Sequence, residues 1–344
     1  MKKILVTGGA GYIGSHTVVE LYNAGYTPII LDNYSNSEKS TIAGIHKITQ
    51  SEIKTYEGDC NDLEFVNQLF EQEKNIYGVI HFAAFKAVGE SVERPLEYYQ
   101  NNVGSLIVLL QSMKLNNVKN IVFSSSCSVY GQPDRLPVTE KSPKKLAESP
   151  YGRTKQICED IMYDYYKSAN EIKALVLRYF NPIGAHPTAF IGELPLGVPN
   201  NLVPFITQTA AGLRDKLTIF GNDYNTVDGT CVRDYIHVVD LAKAHVSAIR
   251  CLLKKKSQFI DFINIGTGNG HTVIEVIKTF EKANNLKLNY EIGERRIGDV
   301  EKVYADAKYA MEVLNWHATL SLEEALADAW KWQKCISKAD MGAS

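Results

Sequence analysis

Tyr151 and Lys155 stand four residues apart in Tyr151-Gly152-Arg153-Thr154-Lys155, downstream of the run Ser124-Ser125-Ser126. On a helix that spacing projects both side chains from one face. A phenol titrates at about 10 and needs help to act as a base at neutral pH. A neighbouring ammonium favours the phenolate, and so does the positive charge of an oxidised nicotinamide. Lys155 can therefore do two jobs, lowering the tyrosine pKa and hydrogen-bonding a nicotinamide ribose. Ser126 can pass or hold a proton between a substrate hydroxyl and the tyrosine. Alone, such a pair also describes a core helix that starts with a tyrosine and carries a surface lysine; its weight comes from what precedes it.

What precedes it is a glycine-rich turn. Gly9-Ala10-Gly11-Tyr12-Ile13-Gly14 follows the apolar run Lys3-Ile4-Leu5-Val6-Thr7 and leads into the helix-like Ser15-His16-Thr17-Val18-Val19-Glu20-Leu21. That strand–turn–helix context gives the motif meaning. Glycine tolerates positive φ and has no side chain to block approach, so bare N–H groups and a helix N-terminus can face a pyrophosphate. The next β-rich run, 27–31, ends at Asp32, where an acidic residue is expected to accept hydrogen bonds from an adenine ribose. A carboxylate there repels a 2′-phosphate, so the sequence favours NAD over NADP. The wider spacing Gly8, Gly11, Gly14 resembles the extended branch of the short-chain dehydrogenases/reductases.

The elements that must position these residues alternate in the βαβ manner. Strand candidates fall at 4–7, 27–31, 53–57, 78–82, 120–124 and 174–178, and helical stretches at 63–73, 91–115 and 151–168. This order predicts an α/β fold: a Rossmann-type, doubly wound parallel sheet with ligands at the carboxyl ends of its strands. After residue 180 the rhythm changes. The stretch 181–201 carries four prolines and is expected to be irregular chain covering a site rather than a sheet strand. A helix over 236–253 and a strand over 259–265 look like a return to the first lobe, and 336–344 reads as a frayed tail. The expected division is an NAD-binding lobe over 1–180 with returning segments about 236–265, and a smaller mixed α/β lobe, predominantly over 181–344, that binds substrate and is interleaved with the first.

Composition sets broad limits. The 344 residues, 45% hydrophobic, can bury a large core. Lysine plus arginine (37) nearly balances aspartate plus glutamate (39), so nothing argues for nucleic acid or an anionic membrane as partner. The basic run Lys254-Lys255-Lys256 reads as a solvated helix end. Cys60, Cys127, Cys158, Cys231, Cys251 and Cys335 show no CxxC spacing, which argues against a zinc site or a disulfide framework and for a reducing compartment. A core strand at the very start leaves no room for a signal peptide, and no apolar stretch reaches the roughly 18 residues of a membrane span. The expectation is a cytoplasmic protein with no metal.

Beyond these local signals, the chain resembles the UDP-glucose 4-epimerases over nearly its whole length. The resemblance is carried by Val6–Thr7 with the glycine turn through His16, by His81-Phe82-Ala83 with Lys86-Ala87-Val88-Gly89-Glu90-Ser91, and by Pro95-Leu96-Glu97-Tyr98-Tyr99. It continues in Arg178-Tyr179-Phe180-Asn181-Pro182, Pro199-Asn200-Asn201-Leu202, Phe220-Gly221-Asn222-Asp223-Tyr224 and Val232-Arg233-Asp234-Tyr235-Ile236-His237. Position by position, it implies that NAD is held by Gly8, Gly11, Tyr12, Ile13, Gly14, Asp32, Asn33, Asn36, Ser37, Asp59, Cys60, Phe82, Ala83, Lys86, Asn101, Lys155 and Phe180. It implies UDP-sugar contacts from Ser126, Tyr151, Asn181, Asn201, Leu202, Phe220, Arg233, Tyr235, Arg296 and Asp299. Two guanidiniums suit a pyrophosphate, and an aromatic such as Phe220 gives uracil an apolar surface. A homodimer packed through the helices at about 91–115 and 151–168 is implied as well.

The implied reaction is a hydride loan: Tyr151 takes the proton of the sugar 4-hydroxyl beside Ser126 while carbon 4 gives its hydride to NAD. The resulting 4-keto sugar then turns to present its other face for the returning hydride. That demands a firm grip on UDP and a loose one on the sugar. Two other readings are available: a 4,6-dehydratase of the same branch, or a non-catalytic NAD-sensing scaffold. Resembling dehydratases carry Asp-Glu after the serine or threonine of the active-site strand, whereas this chain has Ser126-Cys127-Ser128; a scaffold has no need of both Tyr151 and Lys155. In Arg295-Arg296-Ile297-Gly298-Asp299-Val300-Glu301-Lys302-Val303-Tyr304, Val303 takes a position where resembling enzymes carry either a large tyrosine closing the sugar pocket or a smaller residue. Valine is expected to leave space beside the sugar 2-position, enough for an N-acetyl group.

Overall fold

The computed structural model describes residues 1–168, 171–296 and 299–342. Its first half is built from β1 (Lys3–Thr7), α1 (Tyr12–Asn23), β2 (Thr27–Asp32), α2 (Ser40–Thr49), β3 (Lys54–Glu57), α3 (Leu63–Glu73) and β4 (Ile76–His81). These are followed by α4 (Val88–Glu93), α5 (Pro95–Leu115), β5 (Asn120–Ser126), α6 (Pro150–Lys167) and β6 (Lys173–Tyr179). The second half comprises β7 (Asn181–Ile183), α7 (Leu202–Ala210), β8 (Leu217–Phe220), β9 (Val232–His237), α8 (Val238–Leu252) and β10 (Phe259–Ile265). It closes with β11 (Gly270–Thr272), α9 (Val273–Asn284), β12 (Tyr290–Gly293), β13 (Lys302–Val303), α10 (Lys308–Leu314) and α11 (Leu322–Gly342).

Seven strands form one sheet in the order β10-β6-β5-β4-β1-β2-β3, every neighbouring pair parallel. The chain winds outward from β1 in both directions, so the crevice between the carboxyl ends of β1 and β4 is the switch point where a dinucleotide belongs. Because helices cover both faces, the strands inside the sheet are apolar on both sides, whereas the edge strand β3 is polar and partly exposed. Ile4 and Val6 of β1, Val122 of β5 and Leu175 and Leu177 of β6 pack in one core with α1 and α8. Their neighbours Leu5, Ile121, Phe123, Ala174 and Val176 pack in the other with α3, α5 and α6. The pleat thus sorts each continuous run into two cores.

Apart from α8, β10 and α10, which join the first lobe, the second half folds around β9, which pairs parallel with β7 and β13 and antiparallel with β11; β8 and β12 form a separate parallel pair. A third core joins α7, α9 and α11 through Ile206, Ile277, Phe280 and Leu326.

Several expectations are corrected. The helix expected over 91–115 is two helices: Arg94 takes φ −129°, ψ 54°, and Pro95 opens α5 as its first residue. A residue before proline is pushed out of the helical region, while proline itself suits the first turn. Asn181–Ile183, expected to be irregular, is a short strand in register with Tyr235–His237; the rest of 184–201 is irregular. Ile236 and His237 finish β9 rather than start a helix, and His237 caps α8 by accepting from Val239 N at 3.1 Å. The expected tail instead continues α11 to Gly342, since no proline or glycine interrupts it earlier; Ala343 and Ser344 lie outside the described residues.

Candidate active site

Gly8 has φ +70°, and a Cβ on it would lie 2.8 Å from Ala83 N; a Cβ on Gly14 would lie 2.1 Å from Gly8 O. Those two glycines are required by the turn's own packing. Gly11 differs: a Cβ there would meet only Gly8 O, at 3.2 Å, so the space in front of it is open. Gly11 is also the N-cap of α1 and supplies no side-chain cap, leaving first-turn N–H groups facing that space. An open cradle over a helix N-terminus fits a pyrophosphate.

Asp32 closes the turn from behind. Its Oδ2 accepts from Ala10 N, and its Oδ1 from Tyr34 N and from the Ser37 hydroxyl, all at 2.9 Å. The structure therefore brings Asp32 and Ser37 together at the end of β2, with Asn33 alongside donating to Asp59 at 3.4 Å. Asn36 is exposed on the same loop. Asn61, which the sequence reading passed over, ties Asp59 to Asn101. Cys60 is buried beside Thr7, and burial pushes its thiol well above the ordinary range. Just past the end of β4, Phe82 packs at a tilt against His245 with centroids 4.6 Å apart and Ala83 backs Gly8. Tyr12 and Ile13 open α1.

On the other side of the crevice the carboxyl end of β5 meets the start of α6. Ser149 accepts from Gly152 N and Pro150 follows as the first helical residue, so Tyr151 and Lys155 lie one turn apart on the face toward β5. Lys155 Nζ donates to Ser124 O at 2.8 Å, 5.1 Å from the Phe123 ring centroid and 5.9 Å from that of Tyr151. Burial brings its ammonium down to about 8, with Cys158 and Glu159 opposing the fall. Burial raises the Tyr151 phenol far above its usual value, and the Ser126 hydroxyl is the neighbour that pulls it back. In the chain by itself the tyrosine is therefore a protonated phenol beside Ser126.

Two residues that sequence reasoning left without a role support this group. Glu159, fully buried and one turn beyond Lys155, accepts from Ser125 at 2.7 Å and from Arg178 Nε and Nη2 at 2.8 and 2.6 Å. Arg178 continues to the Tyr130 hydroxyl, which donates to Asn264 at 2.6 Å. The spacing Tyr151–Lys155–Glu159 on one helix face was the available signal. Successive serines of β5 thus reach different elements: Ser124 bonds Lys155 and Tyr179 and Ser125 bonds Glu159, while Ser126 lies beside Tyr151.

The expected nucleotide-sugar residues gather beyond this point. Arg296 Nη2 donates to Asp299 at 2.8 Å, and Arg233 Nη2 lies 3.9 Å from the same oxygen, so one carboxylate sits between two guanidiniums. Phe220, exposed at the end of β8, has the Arg296 guanidinium 5.5 Å from its ring centroid. Ile297 and Gly298 of this motif lie outside the described residues. Tyr235 pairs in register with Asn181, and Val303 with Arg233. Val303 is buried with Phe180, Val129 and Tyr130, with Cys127 packed against them. Asn201 and Leu202 start α7. Asp234, next to Arg233, accepts from Thr267 N and Oγ1, Gly268 N and Ala305 N, which fixes the segment carrying Val303. Among the described residues no cluster of His, Cys, Asp or Glu could hold a metal ion, no helix is long and apolar enough to cross a membrane, and the six cysteines are free.

The family model described as GDP-mannose 4,6 dehydratase matches residues 5–329. The chain is 50% identical over 331 residues to a UDP-glucose 4-epimerase of Dictyostelium discoideum, covering 96% of this chain and 95% of that one. A crystal structure of UDP-glucose-4-epimerase from Stenotrophomonas maltophila with bound NAD and formylated UDP-arabinopyranose superposes with a TM-score of 0.95 at 44% identity, over 98% of this chain and 100% of that one. Another, from Bifidobacterium longum in complex with NAD+ and UDP, gives a TM-score of 0.93 at 46% identity, over 97% and 98%.

Proposed function

The chain belongs to the UDP-glucose 4-epimerase family and is an NAD-dependent isomerase of UDP-glucose and UDP-galactose; on that premise we propose that Tyr151, Ser126 and Lys155 carry its chemistry. The observation that carries this assignment is the convergence of Ser126, Tyr151 and Lys155 at the switch-point crevice, opposite the open glycine turn. The oxidised nicotinamide, when bound, accepts the hydride of sugar carbon 4 and returns it. Tyr151 takes the proton of the 4-hydroxyl, and Ser126 holds that hydroxyl and the phenol in one hydrogen-bonded line. Because burial raises the phenol, Tyr151 releases its own proton only when positive charge is added beside it; Lys155 contributes one such charge from across the ring. Arg233, Arg296 and Phe220 grip the diphosphate and uracil, leaving the keto sugar free to turn.

The dehydratase reading finds no acid–base pair here. Cys127 and Ser128 follow Ser126, and Asp234, whose charge reaches Cys127, is committed to four donors. The lobe built on the seven-stranded sheet holds NAD, and the lobe around β9 holds the UDP-sugar. The chain works as a homodimer through α5 and α6, where Ile107 and Tyr163 are exposed. Cysteines that form no disulfide suit the cytoplasm. Purified protein incubated with UDP-galactose and no added cofactor converts it to UDP-glucose, resolved by chromatography, and releases near-stoichiometric NAD(H) on denaturation. A folded protein that needs a second oxidisable substrate overturns the reading.

Val303 sets the sugar range. Its side chain ends within an apolar wall that includes Phe180, so the chain closes the sugar pocket with valine rather than a phenol ring. UDP-N-acetylglucosamine and UDP-N-acetylgalactosamine are expected to be interconverted too. Val303→Tyr then suppresses turnover of the N-acetylated pair selectively, measured as the ratio of kcat/KM values. Equal loss on both pairs, or no N-acetyl activity in the parent enzyme, defeats this assignment.

A further inference from the structure

Glu193 has no part in the chemistry above, yet it sits between two residues that do. One carboxylate oxygen, Oε1, accepts from Lys86 Nζ at 3.2 Å and from Asn201 Nδ2 at 2.7 Å. Lys86 follows β4 on the cofactor side, and its ammonium lies 6.0 Å from the ring centroid of Tyr12 in the glycine turn. Asn201 precedes α7 on the nucleotide-sugar side.

The loop that delivers Glu193 is held from both lobes. The Tyr12 hydroxyl donates to Gly184 O at 2.7 Å, Ala185 pairs with Gly192, and His186 N donates to Ile191 O at 3.1 Å. Phe190 O packs so closely on α2 that a Cβ on Gly44 would lie 2.1 Å from it. Trp332 of α11 lies flush against Gly192, where a Cβ would be 2.5 Å from the indole, and its Nε1 donates to Glu193 O at 2.8 Å. The Glu193 side chain is 10% exposed and that of Lys86 49%. A largely buried carboxylate therefore faces a half-exposed ammonium.

We propose that Glu193 is a positioning residue that couples the two halves of the site: by sharing one carboxylate oxygen between Lys86 and Asn201, it makes UDP binding tighten the hold on NAD. The inference rests on the assignment of Lys86 to the cofactor and Asn201 to the nucleotide sugar. UDP, by ordering Asn201, fixes the direction of Glu193 Oε1, and that oxygen holds Lys86 over the glycine turn. Coupling of this kind is reciprocal, so bound NAD raises UDP affinity by the same factor. With its ammonium half-exposed, Lys86 contributes little to fold stability through this pair. Removing it consequently leaves the fold in place and exposes the coupling by itself.

The test compares NAD-loaded wild type with Glu193→Met, which keeps the length of the side chain and removes the shared acceptor oxygen. Cofactor released over time in urea below the unfolding transition is measured with and without saturating UDP, UDP binding by calorimetry, and folding by thermal melting. UDP is expected to slow NAD loss by at least about 5-fold in wild type, the low end of typical coupling factors. In Glu193→Met the rate is the same with and without UDP, while UDP still binds and the protein still melts cooperatively. A Met variant that keeps the UDP effect overturns the proposal, and so does a wild type that binds UDP without slowing NAD loss. A wild type that binds no UDP overturns the underlying site assignment, and the coupling with it.

Discussion

Tyr151→Phe is expected to lower kcat for UDP-galactose by roughly 10²–10⁴-fold, the usual consequence of losing a general base. The phenylalanine ring keeps the packing beneath Lys155 and against β5, so only the hydroxyl beside Ser126 is lost. A loss of that size corresponds to about 2.7–5.4 kcal/mol of transition-state stabilisation. It is expected in kcat and kcat/KM alike, because the proton transfer is made only in the transition state. UDP binding stays nearly intact, since Arg233, Arg296 and Phe220 are untouched, and the purified variant still yields NAD on denaturation. Turnover at the wild-type rate would place the base on another residue.

The parts of the site that can be read from sequence are those whose chemistry is encoded in short spacings. The glycine turn, Asp32 after the second strand, and Tyr151 with Lys155 each need only a local pattern and the order of the elements. The strands of the central sheet were legible for the same reason, because burial on both faces leaves an apolar run. Helix α2 was not seen: Thr41, Ile42, Ile45 and Ile48 are weak helix formers, and Gly44 is placed by the approach of Phe190, far along the chain. The break at Arg94 is signalled by Pro95, which a single helical stretch over 91–115 runs through.

The nucleotide-sugar side is legible only through resemblance. Arg233, Arg296, Phe220 and Val303 carry no spacing of their own, and β9, β13 and the ends of β8 and α7 bring them together. The supporting pairs are hidden in the same way. Lys86 and Glu193 are 107 residues apart and Asp234 and Ala305 are 71 apart, so no local pattern joins them. The expected depression of the Tyr151 pKa by Lys155 shows a different limit. The sequence gives a neighbouring ammonium, but the depth of burial that opposes it is a tertiary property, and in the chain alone burial dominates.

Arg178→Met is expected to destabilise the protein by about 3–5 kcal/mol, the cost of breaking a buried ion pair by removing one partner. The Glu159 side chain is completely buried and that of Arg178 is 5% exposed, so water cannot replace the guanidinium. What remains is Ser125 at 2.7 Å and a longer approach of Lys144 at 3.6 Å, which together do not match a bidentate arginine. The loss also reaches the chemistry, because Ser125 precedes Ser126 and Glu159 lies one turn beyond Lys155. Replacing both partners, in Arg178→Met with Glu159→Leu, removes the unpaired charge and recovers most of the stability, since a buried pair is seldom worth more than an apolar substitute. Activity is expected to recover less than stability, because Ser125 then has no acceptor to hold the end of β5 against α6. Urea unfolding of the single and double variants, alongside kcat for UDP-galactose, separates the two effects. A single variant within about 1 kcal/mol of wild type would show that Glu159 is paired by something other than Arg178.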